Sequence, residues 1–291
     1  MNNQPPSSIP GEAHPGVYKL GTLTYTRKDL LRLFVLLLGG DFAMVFFESI
    51  FGPFGTLYTK QFHASNVLIG AFNGSVPGLV NIFFGPSISR WSDNFRSSWG
   101  RRIPFLAGAV PMIFVSLIAM GFAPELAGLI HPFVPSASLD NIVLIVLTAF
   151  VIVFHFANMI LINSYTWLQR DTIPQEVMAR FLSWFRIVSI GGAALFSWYI
   201  FPHVIDDRKI VCLSLGAFYV VVFAFMCRYV KEGEYPPPVE EKGNAVQLYV
   251  RYFRQCFTVP IYRWAFIGRM IAGMAVCAST YDIFSGGKPS G

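Results

Sequence analysis

The sequence predicts an all-α polytopic membrane protein, built as a six-helix bundle, a polar connection and the start of a second bundle. Three observations lead there. Apolar residues make up 54% of the 291 residues and charged ones only 13%, about half the charged share of a soluble domain. Apolar runs long enough to cross a bilayer, about 20 residues, recur from Leu31 onward. Lys and Arg fall unequally on the alternate connections between those runs, sixteen on one side against three on the other, as the positive-inside rule requires.

Residues 1–28 are polar, begin with a stretch rich in Pro, Ser and Gly, and lack the pattern of a cleaved signal. They are expected to form a flexible cytoplasmic tail. Seven helical segments follow at about Leu31–Tyr58, Val67–Arg90, Ile103–Phe122, Asn141–Asn163, Phe181–Val204, Ile210–Val230 and Ile261–Tyr281. Helix is the expected state for each, because unpaired backbone is not tolerated in lipid and the runs are twice the length of a barrel strand. The basic side comprises the tail, the junction after the second span, the connection after the fourth and the long connection after the sixth, so the amino terminus is expected in the cytoplasm.

Residues 29–230 therefore form a six-helix amino-terminal bundle. Residues 231–260, with a proline run and mixed charges before a basic and aromatic stretch, read as a cytoplasmic linker. Residues 261–291 supply the first helix of a carboxy-terminal bundle whose remainder is absent, the layout of the first half of a two-lobed transporter. The net charge of +6 is spread over short connections and makes no basic arm, which argues against nucleic acid. The four cysteines, Cys212, Cys227, Cys256 and Cys277, have no CxxC spacing and indicate neither a disulfide framework nor a metal site.

Ionisable groups at bilayer depth cost roughly 2.5–3.5 kcal/mol each on insertion scales, so each needs a partner, a water path or a function. Asp41 and Glu48 are seven residues apart on the first span, nearly on one face and about 10 Å apart along the axis. They are candidates for a cation or proton site and a sugar-hydroxyl acceptor, with an arginine-paired structural acid as the other role open to Asp41. On the fifth span Arg186, Ser189, Ala193 and Ser197 share a stripe expected to face the bundle interior, where Arg186 would pair with Glu48 or Asp41. The alternative for Arg186 is to reach headgroups by its stem. Amides at Asn73 and Asn81 on the second span, and at Asn158 beside His155 on the fourth, offer donors and acceptors suited to a polyhydroxylated ligand, or to hydrogen bonds between helices. His155 is also a candidate proton relay. Arg269 and Asp282 lie in the seventh span. Pro77, Gly74 and Gly78 are expected to bend the second helix and give it a strip of small residues for close packing.

The junction from Gly85 to Phe105, GPSISRWSDNFRSSWGRRIPF, carries the most particular spacing. A Ser-Asp pair ends the second helix, Gly100 follows Asp93 by seven residues, and Arg101, Arg102 and Pro104 open the third helix. Asp93 is placed to accept from arginines of its own loop, Gly100 to turn the chain, and Pro104 to start a helix at no cost in hydrogen bonds. Arginines here would enforce topology in any membrane protein; the spacing asks for more.

This junction resembles that of the glycoside-pentoside-hexuronide cation symporters, in particular the sucrose-transporter-like branch of the major facilitator superfamily. Ser92, Asp93, Gly100, Arg101, Arg102, Pro104 and Phe105 match the pattern, and Ile103 stands where many members have a third basic residue. Gln169 to Trp198, with Asp171, Pro174, Glu176, Arg180 and the glycine pair, is similar to the family's next cytoplasmic loop and fifth helix. GGDFAMVFFES on the first span resembles bacterial members.

The resemblance implies a secondary active transporter in the plasma or inner membrane, symporting a sugar or glycoside with H+ or Na+ by alternating access. It implies no other cofactor and no enzyme activity. It also implies a cytoplasmic gate formed by Asp93, Arg96, Gly100, Arg101, Arg102, Asp171 and Arg180, which latches the two lobes. Two alternatives stand beside it: a truncated or assembly-dependent membrane protein of this fold, and a transporter of a non-sugar solute. A polytopic enzyme is disfavoured because the sequence has no HExxH and no clustered nucleophile and base.

Overall fold

The computed structural model describes residues 17–199 and 207–233 and, farther on, part of the stretch 247–271. Two β-strands, β1 (Val17–Leu20) and β2 (Leu23–Thr26), pair antiparallel with Val17 opposite Thr26 and Leu20 opposite Leu23. The stretch expected as a flexible tail thus contains a hairpin. Its alternation, VYKL and LTYT about a Gly21–Thr22 turn, is a hairpin pattern in its own right.

Helix α1 (Arg27–Gln61) follows at once. Thr26 caps it: its hydroxyl accepts from the Asp29 amide at 3.3 Å while the Asp29 carboxylate accepts from the Thr26 amide at 3.3 Å, a reciprocal pair that satisfies two otherwise orphaned donors. Next come α2 (Asn66–Gly70), a π-helical turn (Ala71–Ser75) and α3 (Val76–Asn94), which together make one span. Then follow α4 (Ile103–Gly121), the short α5 (Ala123–Ile130), α6 (Leu139–Thr172), α7 (Gln175–Tyr199) and α8 (Arg208–Tyr229).

Six helical segments are long and apolar enough to cross a membrane: within α1, across α2–α3, and α4, α6, α7 and α8. This is a multi-pass, helical membrane protein. Its six spans coincide with the first six that the apolar runs predict. Residues 260–268, Met270 and Ile271 are helical; Arg269, the stretch from 272 onward with Cys277 and Asp282, and most of the linker, with Cys256, lie outside the described residues.

Helix α4 packs against α6 and α8, α1 against α7 and α8, and α3 against α6. The core is aliphatic and aromatic, with Leu37, Leu106, Ile113, Leu161, Phe181 and Phe223 fully buried. By contrast α3 and α7 keep most of their apolar side chains exposed, among them Phe83, Phe84, Trp184 and Ile190, as helices do when their outer face is solvated by lipid. Gly74 and Gly78, expected as a packing strip, are exposed and meet no neighbour among the described residues.

The hairpin, the α3–α4 junction, the α6–α7 turn and the segment after α8 gather at one end. Leu23 of the hairpin lies beside Gly233, and Glu232 touches the junction. At the opposite end the Lys209 ammonium pairs with the Glu125 carboxylate at 2.5 Å and Arg208 stands 3.8 Å from it. Those cations hold the Glu125 carboxyl below its usual range.

Candidate functional site

A cavity of about 310 Å³ opens between α1, the broken α2–α3 span and α6. Its polar lining is Glu48, Asn73, Asn81, His155 and Asn158, and its apolar lining includes Phe47, Phe51 and Phe154. Asn81, His155 and Asn158 lie near the midpoints of their spans, Glu48 in the second half of α1 and Asn73 in the first third of its span, so the cavity opens within the length of the spans. Its volume is at the lower end of the ~300–1,000 Å³ usual for ligand pockets.

The break in the second span shapes this cavity. In the π-helical turn the Val76 amide bonds to the Ala71 carbonyl, five residues back. The next bond in that register would run from residue 77 to Phe72, but Pro77 has no amide hydrogen. The freed Phe72 carbonyl is taken by His155 Nε2 at 3.0 Å. A carbonyl only accepts, so Nε2 carries the hydrogen and the neutral ring keeps Nδ1 as an acceptor. Asn73 spans the same region, donating to the Thr56 hydroxyl at 3.0 Å and to the Ile69 carbonyl at 3.2 Å. Beneath them Phe51 and Phe154 stack at 4.3 Å between centroids and Phe47 lies 4.9 Å from Phe154, a rigid apolar floor.

Four of the six residues expected at a binding site, Glu48, Asn73, His155 and Asn158, therefore line one cavity. The other two do not. Asp41 is buried elsewhere, 2% exposed, its carboxylate accepting from Ser189 Oγ at 3.0 Å. It shares a stripe of α1 with Glu48, but that stripe meets α7 at the depth of Asp41 and the open cavity two turns farther on. Arg186 is exposed and pairs with neither acid. The buried face of α7 runs through Val177, Phe181, Ser189, Gly192 and Phe196, and Arg186, three residues before Ser189, is turned about 60° away from it.

At the hairpin end the junction forms a compact ionic network. Arg102 is 2% exposed. It donates to Ser92 Oγ at 2.8 Å and to the Asp93 carboxylate, and its Nε lies 3.5 Å from Asp171. Arg101 donates to Asp171 at 2.7 Å and stands 3.9 Å from Asp93. Two arginines from the start of α4 thus cross-link the end of α3 to the end of α6. Trp167 lies against Arg102, whose guanidinium is 5.6 Å from its ring, and against that of Arg170 at 5.1 Å.

Arg96 donates to the carbonyls of Asp93 and Phe95, at 2.6 and 2.8 Å, and so braces its own turn. Arg180 is exposed and stands outside the network. Ile103, where a third basic residue would stand, is buried.

The residue that the sequence does not single out is Glu232. Its carboxylate accepts from the amides of Arg101, Arg102 and Ile103 at 2.9, 2.8 and 2.8 Å. Arg102 is the N-cap of α4 and offers no capping side chain, and Pro104 in the first turn has no hydrogen to offer. Glu232 therefore supplies the missing cap from 130 residues away, and a negative charge there also suits the helix dipole. Gly100 makes room: its φ is +108°, and a Cβ on it would lie 2.6 Å from Glu232 Cδ.

No family model, curated protein or solved structure matches this chain.

Proposed function

We propose that the protein is a secondary active transporter of the plasma or inner membrane, with its amino terminus cytoplasmic, which symports a sugar or glycoside with H+ or Na+ by alternating access. The observation that carries this reading is the cavity within the length of the spans. It offers a carboxylate, three amides and an imidazole around an aromatic floor. Carboxylate and amide oxygens accept from hydroxyls, amide hydrogens donate to them, and phenylalanine faces pack the C–H side of a sugar ring. Glu48 is the acid of this set, poised to accept a substrate hydroxyl.

The ionic network supports the same reading from the other end. Arg101, Arg102, Asp93, Asp171 and Glu232 tie α3, α4, α6 and the segment after α8 into one unit at the basic end, which positive-inside counting assigns to the cytoplasm. A charge-paired junction of this kind suits a gate, because its bonds are directional and are lost together when one partner moves. The Ser-Asp, Gly, Arg-Arg and Pro spacing, similar to that of cation–sugar symporters, is what names the substrate class.

Equilibrium binding to the full-length gene product in nanodiscs tests the site. A labelled glycoside from a panel is expected to bind, and Glu48→Gln and Asn158→Ala are each expected to weaken it about tenfold, the loss of one hydrogen bond to a polar ligand. Wild-type affinity in both variants would remove the cavity from the mechanism.

A further inference from the structure

Asp41 sits where four helices meet. Its own helix, α1, is approached one residue earlier by α6 and α8: a Cβ on Gly40 would lie 3.0 Å from Met226 Sδ and 3.2 Å from the Tyr165 ring. The Tyr165 hydroxyl donates to the Leu37 carbonyl, and α7 supplies Ser189, itself 8% exposed. A single side chain, here glycine, sets how closely these helices pack at Asp41.

The charges around Asp41 do not compensate it. From α7, Ser189 is neutral, and Arg186 one turn away is exposed. From α6 the facing group is Tyr165, whose hydroxyl also meets Gln169, and from α8 it is Met226, all neutral. On α1 itself the neighbouring ionisable group is Glu48, which has the same sign. None of the ion pairs among the described residues includes Asp41. An ionised carboxylate so enclosed, with one hydroxyl donor, would carry several kcal/mol of uncompensated desolvation. A metal cation would need a shell of oxygens and room for it. Asp41 is 2% exposed and is not part of the lining of the Glu48 cavity, and the space beside Gly40 is filled by thioether and phenol. A proton needs neither.

We propose that Asp41 is the coupling-proton site of this protein, separate from the ligand cavity, and that it holds its proton while α1 and α7 are packed as seen here. When the helices part, water enters at Ser189, the carboxylic acid transfers its proton to that water, and the carboxylate takes water donors in place of the buried contact. Repacking α1 on α7 then requires a proton to return. The inference rests on the transport reading and deepens it in one respect: it selects H+ over Na+ and assigns the proton to Asp41 rather than to Glu48.

Infrared pH titration of the full chain in liposomes tests the assignment without any substrate. The carbonyl stretch of a protonated carboxyl is expected to fade as pH rises, to be missing in Asp41→Asn, to persist in Glu48→Gln and to shift in frequency in Ser189→Ala. An Asp41→Asn spectrum identical to wild type at every pH would overturn the proposal. A second arm uses any glycoside that wild type exchanges. Asp41→Asn is expected to keep exchange while losing accumulation driven by a pH gradient, so that inside and outside concentrations merely equalise; undiminished accumulation would overturn the proposal. If wild type exchanges no glycoside, the transport reading fails, and the infrared titration still decides whether Asp41 carries the proton.

Discussion

Substituting Gly100 by Ala tests the union of Glu232 with the junction. The new Cβ faces two penalties. The backbone at φ +108° is a region that side chains rarely adopt, costing about 1–3 kcal/mol. The Cβ would also stand 2.6 Å from Cδ and 2.7 Å from Oε1 of Glu232, closer than any real contact, so the carboxylate must leave. Its departure frees three amides now bonded at 2.8–2.9 Å. Hydrogen bonds to a charged group are worth about 1.5–3 kcal/mol each, but Glu232 is only half-buried and water replaces part of what is lost. A net cost of about 2 kcal/mol is reasonable, similar to the strongest anion effects at helix N-termini. Gly100→Ala should then cost about 3–5 kcal/mol, Glu232→Ala about 2, and the double variant little more than Gly100→Ala alone, a coupling of about 2 kcal/mol. Denaturant unfolding of the four proteins in mixed micelles measures this cycle. Additivity within about 0.5 kcal/mol would refute the reasoning, since it would mean that Glu232 does not occupy the space over Gly100.

Two further outcomes follow from single contacts. His155→Phe removes the side chain that bonds the Phe72 carbonyl among the described residues and should cost about 1–3 kcal/mol, the penalty for an unmet buried acceptor; His155→Gln, which can donate from a similar position, should recover part of it in the same unfolding assay. At the far end, Glu125→Gln removes a carboxylate whose affinity for protons is lowered in the fold by Lys209 and Arg208. A depressed carboxyl contributes stability that is fully present above its unfolded value and is lost as pH falls through its folded value. The variant should therefore be less stable than wild type at neutral pH, by under about 1 kcal/mol because the pair is exposed, and equal to it in strong acid.

Much of the architecture was legible in the residues because lipid enforces simple rules. Apolar runs must be helices, and six of them are. The ionic junction was legible for a similar reason: Arg101 and Arg102 at the start of a span, with Asp93 and Asp171 at the ends of two others, have few places to go but toward each other. The cavity set was half legible. Polar side chains within apolar spans mark a site, but helical periodicity alone does not say which neighbour each will meet. Asp41 and Glu48 share a stripe and face different neighbours, and Arg186 misses the interior by less than a quarter turn.

Glu232 was hidden for a physical reason. Its partners are backbone amides, which have no sequence signature, and it lies in a charged stretch, KEGE, that reads as solvated. The π-helical turn was only hinted at by Pro77, whose missing hydrogen matters through the register it leaves behind. The β1–β2 hairpin had a readable signal, the alternation about Gly21–Thr22, but it is short and stands beside a Pro- and Ser-rich stretch.

The central claim is that this protein moves a glycoside through the membrane at the expense of a cation gradient. Its most direct test is uptake of labelled glycosides into proteoliposomes containing the full-length gene product, under an imposed pH or sodium gradient. The account predicts accumulation above the external concentration for at least one glycoside, driven by the pH gradient and abolished when it is collapsed. Uptake that no gradient stimulates, for every glycoside tried, would contradict it.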